Sequence, residues 1–170
     1  GGKALYIVPL KALAREKYEE LLKFKKLGFK IGLSTGDLTR SDPRLARYDI
    51  IVCTSEKADS LIRHQASWLW KVKILVVDEI HLLNDPGRGP TLEVVISRLK
   101  RINPDLQIIA LSATIRNAED IANWLQAELI ESDWRPVKLR EGVYYRGVIE
   151  FSDGSIKSVG TKPDAIQALV

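Results

Sequence analysis

Apolar and polar residues follow two different periods along this chain. Five short runs rich in apolar residues have the length and composition of buried β-strands, at positions 4–8, 30–34, 49–53, 73–77 and 107–111. Between these runs, apolar residues recur every three or four positions, as they do in amphipathic helices. The longest such segment, residues 10–27, is followed by Gly28, which is suited to end a helix.

The same pattern predicts three further helices. Thr54 or Ser55 is suited to cap a helix over residues 57–63, because their hydroxyl groups can accept hydrogen bonds from free backbone N–H groups. A second amphipathic helix is predicted over residues 91–101. Asn117 is suited to cap a third helix, which ends at residue 125, and the short run 128–130 is interpreted as a final strand.

Short apolar strands separated by helices predict an α/β fold, in which a parallel sheet is covered by helices on both faces. After residue 136 the pattern changes to weak alternation around a turn at residues 152–155, which predicts a short β-hairpin extension. We therefore expect a partial domain at 1–136, a β-rich connector at 137–160, and the start of a second domain at 161–170.

Composition narrows the class of protein only slightly. The chain has 170 residues, of which 45% are hydrophobic and 28% charged, as in an ordinary globular domain. Its net charge of +4 is compatible with nucleic-acid binding without requiring it. The lone Cys53 predicts a reducing, cytoplasmic compartment, and no apolar run is long enough to predict membrane insertion. Since the chain lacks Met and starts at a strand, we interpret it as an internal piece of a longer protein.

The clearest chemical signal is a pair of carboxylates directly after the apolar run 73–77. Ligands of parallel α/β sheets bind beyond the carboxyl ends of the strands, so Asp78 and Glu79 are candidate magnesium-binding residues beside a nucleotide phosphate. Glu79 can also orient or deprotonate an attacking water. His81 is close enough in sequence to transmit changes from that centre. The alternative is a solvated acidic turn.

Polar residues follow the other predicted strands as well. Ser112, Ala113 and Thr114 end the strand at 107–111, where they either contact the acidic turn or simply cap the next helix. Thr35 and Gly36 lie at the same expected edge, where a simple turn is equally compatible with the sequence. The remaining candidates at strand ends are Pro9, Lys11, Ala12, Thr54, Ser55 and Lys57.

Four motifs occur in the order and approximate spacing of helicase motifs Ia, Ib, II and III. They are PLKAL at 9–13, TSEK at 54–57, DEIH at 78–81 and SAT at 112–114. The chain therefore resembles a DExH-box helicase of superfamily two. The sequence at 54–63, 66–69 and 133–137 is also similar to that of the archaeal Holliday junction migration helicases, which are relatives of the helicase half of polymerase theta.

This resemblance implies a RecA-like domain of the P-loop NTPase type, with ATP and Mg²⁺ as cofactors. Asp78 would coordinate magnesium, Glu79 would activate the hydrolytic water, and His81 with Ser112 and Thr114 would couple hydrolysis to movement along DNA. The backbone of single-stranded or branched DNA would be contacted by Pro9, Lys11, Ala12, Thr35, Gly36, Thr54, Ser55 and Lys57. The implied activity is a 3′–5′ DNA helicase in repair and at stalled forks.

The printed sequence contains no G-x-x-x-x-G-K-[ST] match, which is the phosphate-binding loop of this family. We therefore expect an N-terminally truncated motor domain that is inactive alone and that self-associates through exposed apolar edges. Two other functions remain open at this point. One is a DExH-box RNA helicase, and the other is a passive nucleic-acid-binding module that does not hydrolyse ATP.

Overall fold

The chain consists of two units, Gly1–Leu129 and Ile130–Val170. The computed structural model describes residues 2–36, 42–113, 115–132, 134, 137 and 139–158. In these ranges, no helix has the length and apolar character that crossing a membrane requires.

The first unit is built on a sheet of five strands. They are β1 (Lys3–Val8), β2 (Ile31–Ser34), β3 (Ile50–Thr54), β4 (Val72–Val77) and β5 (Gln107–Ala110). Their order in the sheet is β2-β3-β1-β4-β5, and each neighbouring pair is parallel, as the apolar runs predicted. The carboxyl ends of all five strands therefore share one edge of the sheet, called the carboxyl edge below.

Helices cover both faces of this sheet, because alternate residues of its strands point to opposite sides. The helices are α1 (Lys11–Leu21), α2 (Ser55–Arg63), α3 (Gly89–Ile102) and α4 (Ala118–Leu125), and 3₁₀ turns occur at Leu22–Leu27, Pro43–Arg47, Leu69–Lys71 and Ile80–Asn84. Leu5 and Ile7 belong to a large core cluster that includes residues of α2 and α3, whereas Val8 packs with α1. The α/β prediction is confirmed.

Three local predictions need correction. The helix predicted over 10–27 is α-helical only to Leu21 and continues as a tighter 3₁₀ turn, after which Gly28 adopts a φ of 89°. Asn117 precedes α4, but its side chain makes no capping hydrogen bond. Residues 128–130 form no strand: Ile130 is 84% exposed, so this run buries too little apolar surface to be held in a sheet.

The second unit contains a small antiparallel sheet rather than a single hairpin. Its strands are β6 (Gly142–Tyr145), β7 (Val148–Phe151) and β8 (Ile156–Ser158). Arg146 and Gly147 connect the first pair with φ values of 46° and 84°, as in a two-residue hairpin turn. The predicted turn at 152–155 connects the second pair. Residues 161–170, interpreted above as the start of another domain, lie outside the described residues.

The buried thiol of Cys53 gives the stability of the first unit a specific pH dependence. Burial raises the pKa of this thiol to about 12. The unfolded chain therefore loses this proton near its ordinary pKa of 9.0, whereas the folded chain keeps it. Since the folded state binds more protons above that pH, the free energy of unfolding falls by up to about 1.4 kcal/mol per pH unit.

We expect Cys53→Ala to remove this alkaline slope. Urea denaturation of both proteins at a series of pH values between about 9 and 12 measures it. Other titrating groups are shared by the two proteins and cancel in the difference. Parallel pH profiles for wild type and variant would contradict this role of Cys53.

Candidate active site and strand-binding edge

Asp78 lies at the carboxyl edge, directly after β4. Its backbone N–H donates to the carbonyl oxygen of Ile7 at 2.9 Å, which fixes the residue to the end of β1. Its Oδ1 accepts from the N–H of Glu79 at 3.1 Å, and its Oδ2 accepts from the hydroxyl of Tyr6 at 3.3 Å. The carboxylate is therefore held in place at the centre of the sheet and remains partly exposed.

The hydroxyl of Tyr6 stays protonated beside this carboxylate. Burial raises the pKa of Tyr6, and the negative charge of Asp78 raises it further. A protonated phenol is a hydrogen-bond donor. Tyr6 therefore orients Asp78 at neutral pH, a contact that the sequence did not predict because β1 precedes Asp78 by about seventy residues.

Glu79 turns the chain sharply away from β4. Its φ of 56° lies in the left-handed region, which is uncommon for a residue other than glycine and is frequent at functional sites. Its Oε2 lies 3.2 Å from Nδ1 of His81, but the two atoms do not form a hydrogen bond. The side chain of Glu79 is 42% exposed and that of His81 is 31% exposed, so both reach solvent.

Two backbone hydrogen bonds connect this acidic turn to the end of β5. The N–H of Leu111 donates to the carbonyl oxygen of Val77 at 2.8 Å, and the N–H of Ile80 donates to that of Leu111 at 2.9 Å. Ser112 and Ala113 follow directly and are exposed. The end of β5 is thus attached to the segment that carries Glu79. Thr114, the third predicted residue of this motif, lies outside the described residues.

The residues predicted to contact a nucleic-acid strand divide into two groups by burial. Lys11, Ala12 and Gly36 are exposed, and Pro9 and Thr35 are partly exposed. All five follow the carboxyl ends of β1 and β2, so they are accessible from the predicted edge.

The other three predicted residues are buried. Thr54 and Ser55 are 5% and 4% exposed, and Lys57 is 2% exposed. Thr54 is the cap of α2, as predicted, since its Oγ1 accepts from the N–H of Lys57 at 3.4 Å. The sequence interpretation required the side chain of Lys57 to reach solvent and contact DNA. In the structure this side chain is enclosed instead.

A crevice at the carboxyl edge brings several predicted residues together. Pro9, Ser55 and Asp78 line it, together with Arg88. The sequence assigned no role to Arg88. Its backbone N–H is fixed by Oδ1 of Asp85 at 2.9 Å, so the loop before α3 is ordered next to the acidic turn.

The sequence also did not indicate the structural role of Gly89. A Cβ atom at this position would lie 2.1 Å from the carbonyl oxygen of Leu83, in the 3₁₀ turn that follows Glu79. No side chain fits at that distance, so α3 can approach this turn only through glycine. A glycine before an amphipathic helix usually indicates only a turn, and the sequence therefore did not reveal the contact.

Comparison with known proteins agrees with this geometry. The DEAD/DEAH box helicase family matches residues 1–121, which include the acidic turn and the end of β5. The chain belongs to the DEAD/DEAH box helicase family.

Its curated relatives include proteins named ATP-dependent DNA helicase Hel308. The protein from Methanocella arvoryzae is 51% identical over 175 residues, which cover 100% of this chain and 24% of the relative. The protein from Pyrobaculum calidifontis is 53% identical, covering 99% of this chain and 24% of the relative. That from Pyrococcus horikoshii is 54% identical, covering 91% and 21%. The chain thus spans about a quarter of the length of these relatives.

A solved structure resembles the fold as well. It is the DUF1998 helicase MrfA bound to DNA and AMPPNP, with a TM-score of 0.65 and 28% sequence identity. The similarity covers 78% of this chain and 21% of that one.

Proposed function

We propose that this chain is part of the first RecA-like motor domain of an ATP-dependent DNA helicase, with residues 1–136 in that domain. The complete motor couples hydrolysis of magnesium-bound ATP to 3′–5′ movement along single-stranded DNA, in repair and at stalled forks. The acidic turn at 78–81 carries this proposal, since its carboxylates stand at the carboxyl edge and its backbone is bonded to the end of β5.

In this proposal Glu79 is the general base. Its partly exposed carboxylate accepts the proton of the attacking water at Oε1 or Oε2. The backbone of Glu79 is left-handed, with a φ of 56°, directly after Asp78.

The residues present also fit a magnesium ion. Mg²⁺ in nucleotide sites is usually held by one or two carboxylates, phosphate oxygens and water rather than by a cage of protein ligands. Asp78 provides such a carboxylate, and within the described ranges no group of three or more His, Cys, Asp or Glu side chains is placed to enclose a metal. Asp78 would hold the ion, which would neutralise phosphate charge when bound, and Glu79 is a second carboxylate beside it.

Coupling is assigned to the contact between the acidic turn and the end of β5. A change at Glu79 shifts Ile80, whose N–H is bonded to Leu111, and Ser112 and Ala113 move with it. His81 lies on the same turn, with its Nδ1 3.2 Å from Oε2 of Glu79. We assign it a second role in transmitting a change at Glu79 to the neighbouring segment. Thr114 is included by its position in the motif.

DNA contact is assigned to the exposed residues Lys11, Ala12 and Gly36 and to the partly exposed residues Pro9 and Thr35. Contacts of this type bind phosphate without reading the bases, as translocation requires. Thr54, Ser55 and Lys57 are buried and are assigned an indirect role in DNA binding. They stabilise the start of α2, where Thr54 caps the helix. DNA is preferred to RNA because the relatives named above are DNA helicases. Branched DNA is included as a substrate.

Self-association of this chain is a further proposal. Ile109 and Leu111, at the end of the edge strand β5, are 42% and 43% exposed. An apolar sheet edge of this kind favours pairing with another chain.

Lys11→Gln is expected to weaken binding to single-stranded DNA equally for all sequences. The loss of one phosphate contact should reduce the slope of log K against log salt by about 0.7. Fluorescence anisotropy with labelled oligo-dT and a mixed-sequence oligonucleotide of the same length measures both effects. Arg101→Gln, which removes an exposed charge from α3, is the control. An unchanged slope in the Lys11 variant would remove this residue from the DNA contact.

A further inference from the structure

The opposite edge of the large sheet, where the strands begin, has a pattern that the helicase mechanism does not use. An aromatic residue and a cation stand side by side shortly before three strands of this sheet. The pairs are Phe29-Lys30 before β2, Arg47-Tyr48 before β3 and Trp70-Lys71 before β4. We call these six residues the amino-edge strip.

The strip is accessible, and two of its pairs are stacked. Trp70 is 61% exposed and Phe29 is 46% exposed, which are large values for aromatic side chains in a globular domain. The guanidinium of Arg47 lies 5.0 Å from the ring centre of Tyr48, and the ammonium of Lys71 lies 4.9 Å from the ring of Trp70. Ring faces and positive charges are therefore presented together.

The part of the strip at β2 and β3 is held in position by the first residues of neighbouring strands. Nζ of Lys3 donates to the carbonyl oxygens of Ala46 and Tyr48, on either side of Arg47. The ring of Tyr48 lies directly over Gly32, where a Cβ atom would be 2.6 Å from it. The ring of Tyr48 and the backbone on either side of Arg47 are consequently held in position.

A groove opens to solvent where β2 and β3 begin. Lys25, Lys30 and Arg47 line it together with Phe29 and Tyr48. No carboxylate belongs to its described lining. Asp49 follows Tyr48 in the chain, and its Oδ2 accepts from the backbone N–H of Lys30 at 2.8 Å.

The positive charge continues from the groove towards β4. The pKa of Lys3 is lowered by burial, while Asp49 raises it and the ammonium of Lys71 lowers it again. Lys71 is therefore close enough to act on Lys3, which lies between the groove and Trp70. With neighbouring strands about 4.8 Å apart, β2 to β4 spans about 14 Å along the edge.

Cations on this edge lie beside two exposed rings, those of Phe29 and Trp70, and beside the half-buried ring of Tyr48. This arrangement matches the chemistry of single-stranded nucleic acid, whose phosphates pair with cations while its bases stack on aromatic faces. An acidic peptide would use the cations and leave the rings of Phe29 and Trp70 without partners. We propose that the amino-edge strip is a second binding surface for single-stranded DNA, separate from the carboxyl edge. It does not depend on strand binding at Lys11.

Fluorescence of the 170-residue chain tests stacking at a single position. Titration with a twelve-nucleotide oligo-dT should quench tryptophan emission through Trp70. Trp70→Leu should lose this quenching and bind about five- to a hundred-fold more weakly, as expected for one lost base stack. Trp134→Leu, which removes a side chain that is 77% exposed, is the matched control and should keep both. Unaltered quenching and affinity in Trp70→Leu would overturn the proposal.

Salt dependence tests the cations independently of the rings. Lys30→Gln combined with Arg47→Gln should reduce the slope of log K against log salt by about 1.4, the value for two lost phosphate contacts on a single strand. Arg98→Gln combined with Arg101→Gln removes the same charge from α3 and should leave the slope unchanged. Equal losses in both pairs would overturn the strip as a specific surface. If circular dichroism shows that the first pair is unfolded, Lys71→Gln replaces it, with an expected reduction of about 0.7.

Competition identifies the partner. Oligo-dT should displace the labelled strand, while polyglutamate of equal charge should compete at least ten-fold less well, because it offers no bases to stack. Equal competition by polyglutamate would show a general polyanion surface and overturn the proposal. Tighter binding of RNA of equivalent sequence would overturn the choice of DNA.

Discussion

Glu79→Gln, in a chain of the relatives' length that contains this domain, is expected to lower the turnover of ATP hydrolysis by about 10²- to 10⁴-fold, which is the usual contribution of a general base. The amide has the shape of the carboxylate but cannot accept the proton from water. Binding of ATP should be retained, since Asp78 and its hydrogen bonds with Tyr6 and the N–H of residue 79 are unchanged.

A coupled assay of phosphate release at saturating ATP measures this effect, and equilibrium binding of labelled ATP provides the second measurement. Glu93→Gln is the matched control, because Glu93 is an exposed carboxylate on α3, outside the crevice. Wild-type turnover in the Glu79 variant would rule out its role as the base. Loss of ATP binding would mean that Glu79 acts before the chemical step.

The second large effect concerns stability. Gly89→Ala is expected to lower the free energy of unfolding by about 2 kcal/mol, since the new methyl group would meet the carbonyl oxygen of Leu83 at 2.1 Å. The contact is with backbone, so α3 or the turn after Glu79 must move. The better helix propensity of alanine, about 1 kcal/mol, offsets only part of this cost.

Gly87→Ala is the matched control for this prediction. It places the same methyl group two residues earlier, where the nearest atom is Oδ1 of Asp85 at 3.3 Å and the side chain can adjust. Urea denaturation of the two variants should give a clear difference in midpoint. Equal stability of both variants would mean that α3 does not pack tightly against the 3₁₀ turn that follows Glu79.

The sequence predicted the sheet well because its strands are short, mostly apolar runs separated by amphipathic helices, and this pattern is typical of a parallel sheet. The same runs placed Asp78 at a strand end, next to the segment that follows β5. The contact of Asp78 with the end of β1 came from the structure. Motif II is therefore visible both as a pattern and as a position in the fold.

Predictions that depended on side-chain environment were less successful. Lys57 follows a helix cap and suggests a surface cation, yet the packing of α2 on the sheet encloses it. The run 128–130 ends in two apolar residues, but Ile130 is 84% exposed, so the run buries too little apolar surface to be held in a sheet. Tyr6 contacts Asp78, and Gly89 packs against the 3₁₀ turn that follows Glu79. Only the folded chain defines these distances, and no local period indicates such contacts.

The most direct test of the motor assignment is the rate of ATP hydrolysis by a chain of the relatives' length that contains this domain, measured without nucleic acid, with single-stranded DNA, and with RNA of equivalent sequence. The account predicts that single-stranded DNA raises the rate at least ten-fold and that RNA does so much less. A rate that neither DNA nor RNA changes, or that only RNA raises, would contradict a DNA-stimulated motor whose catalytic residues are Asp78 and Glu79.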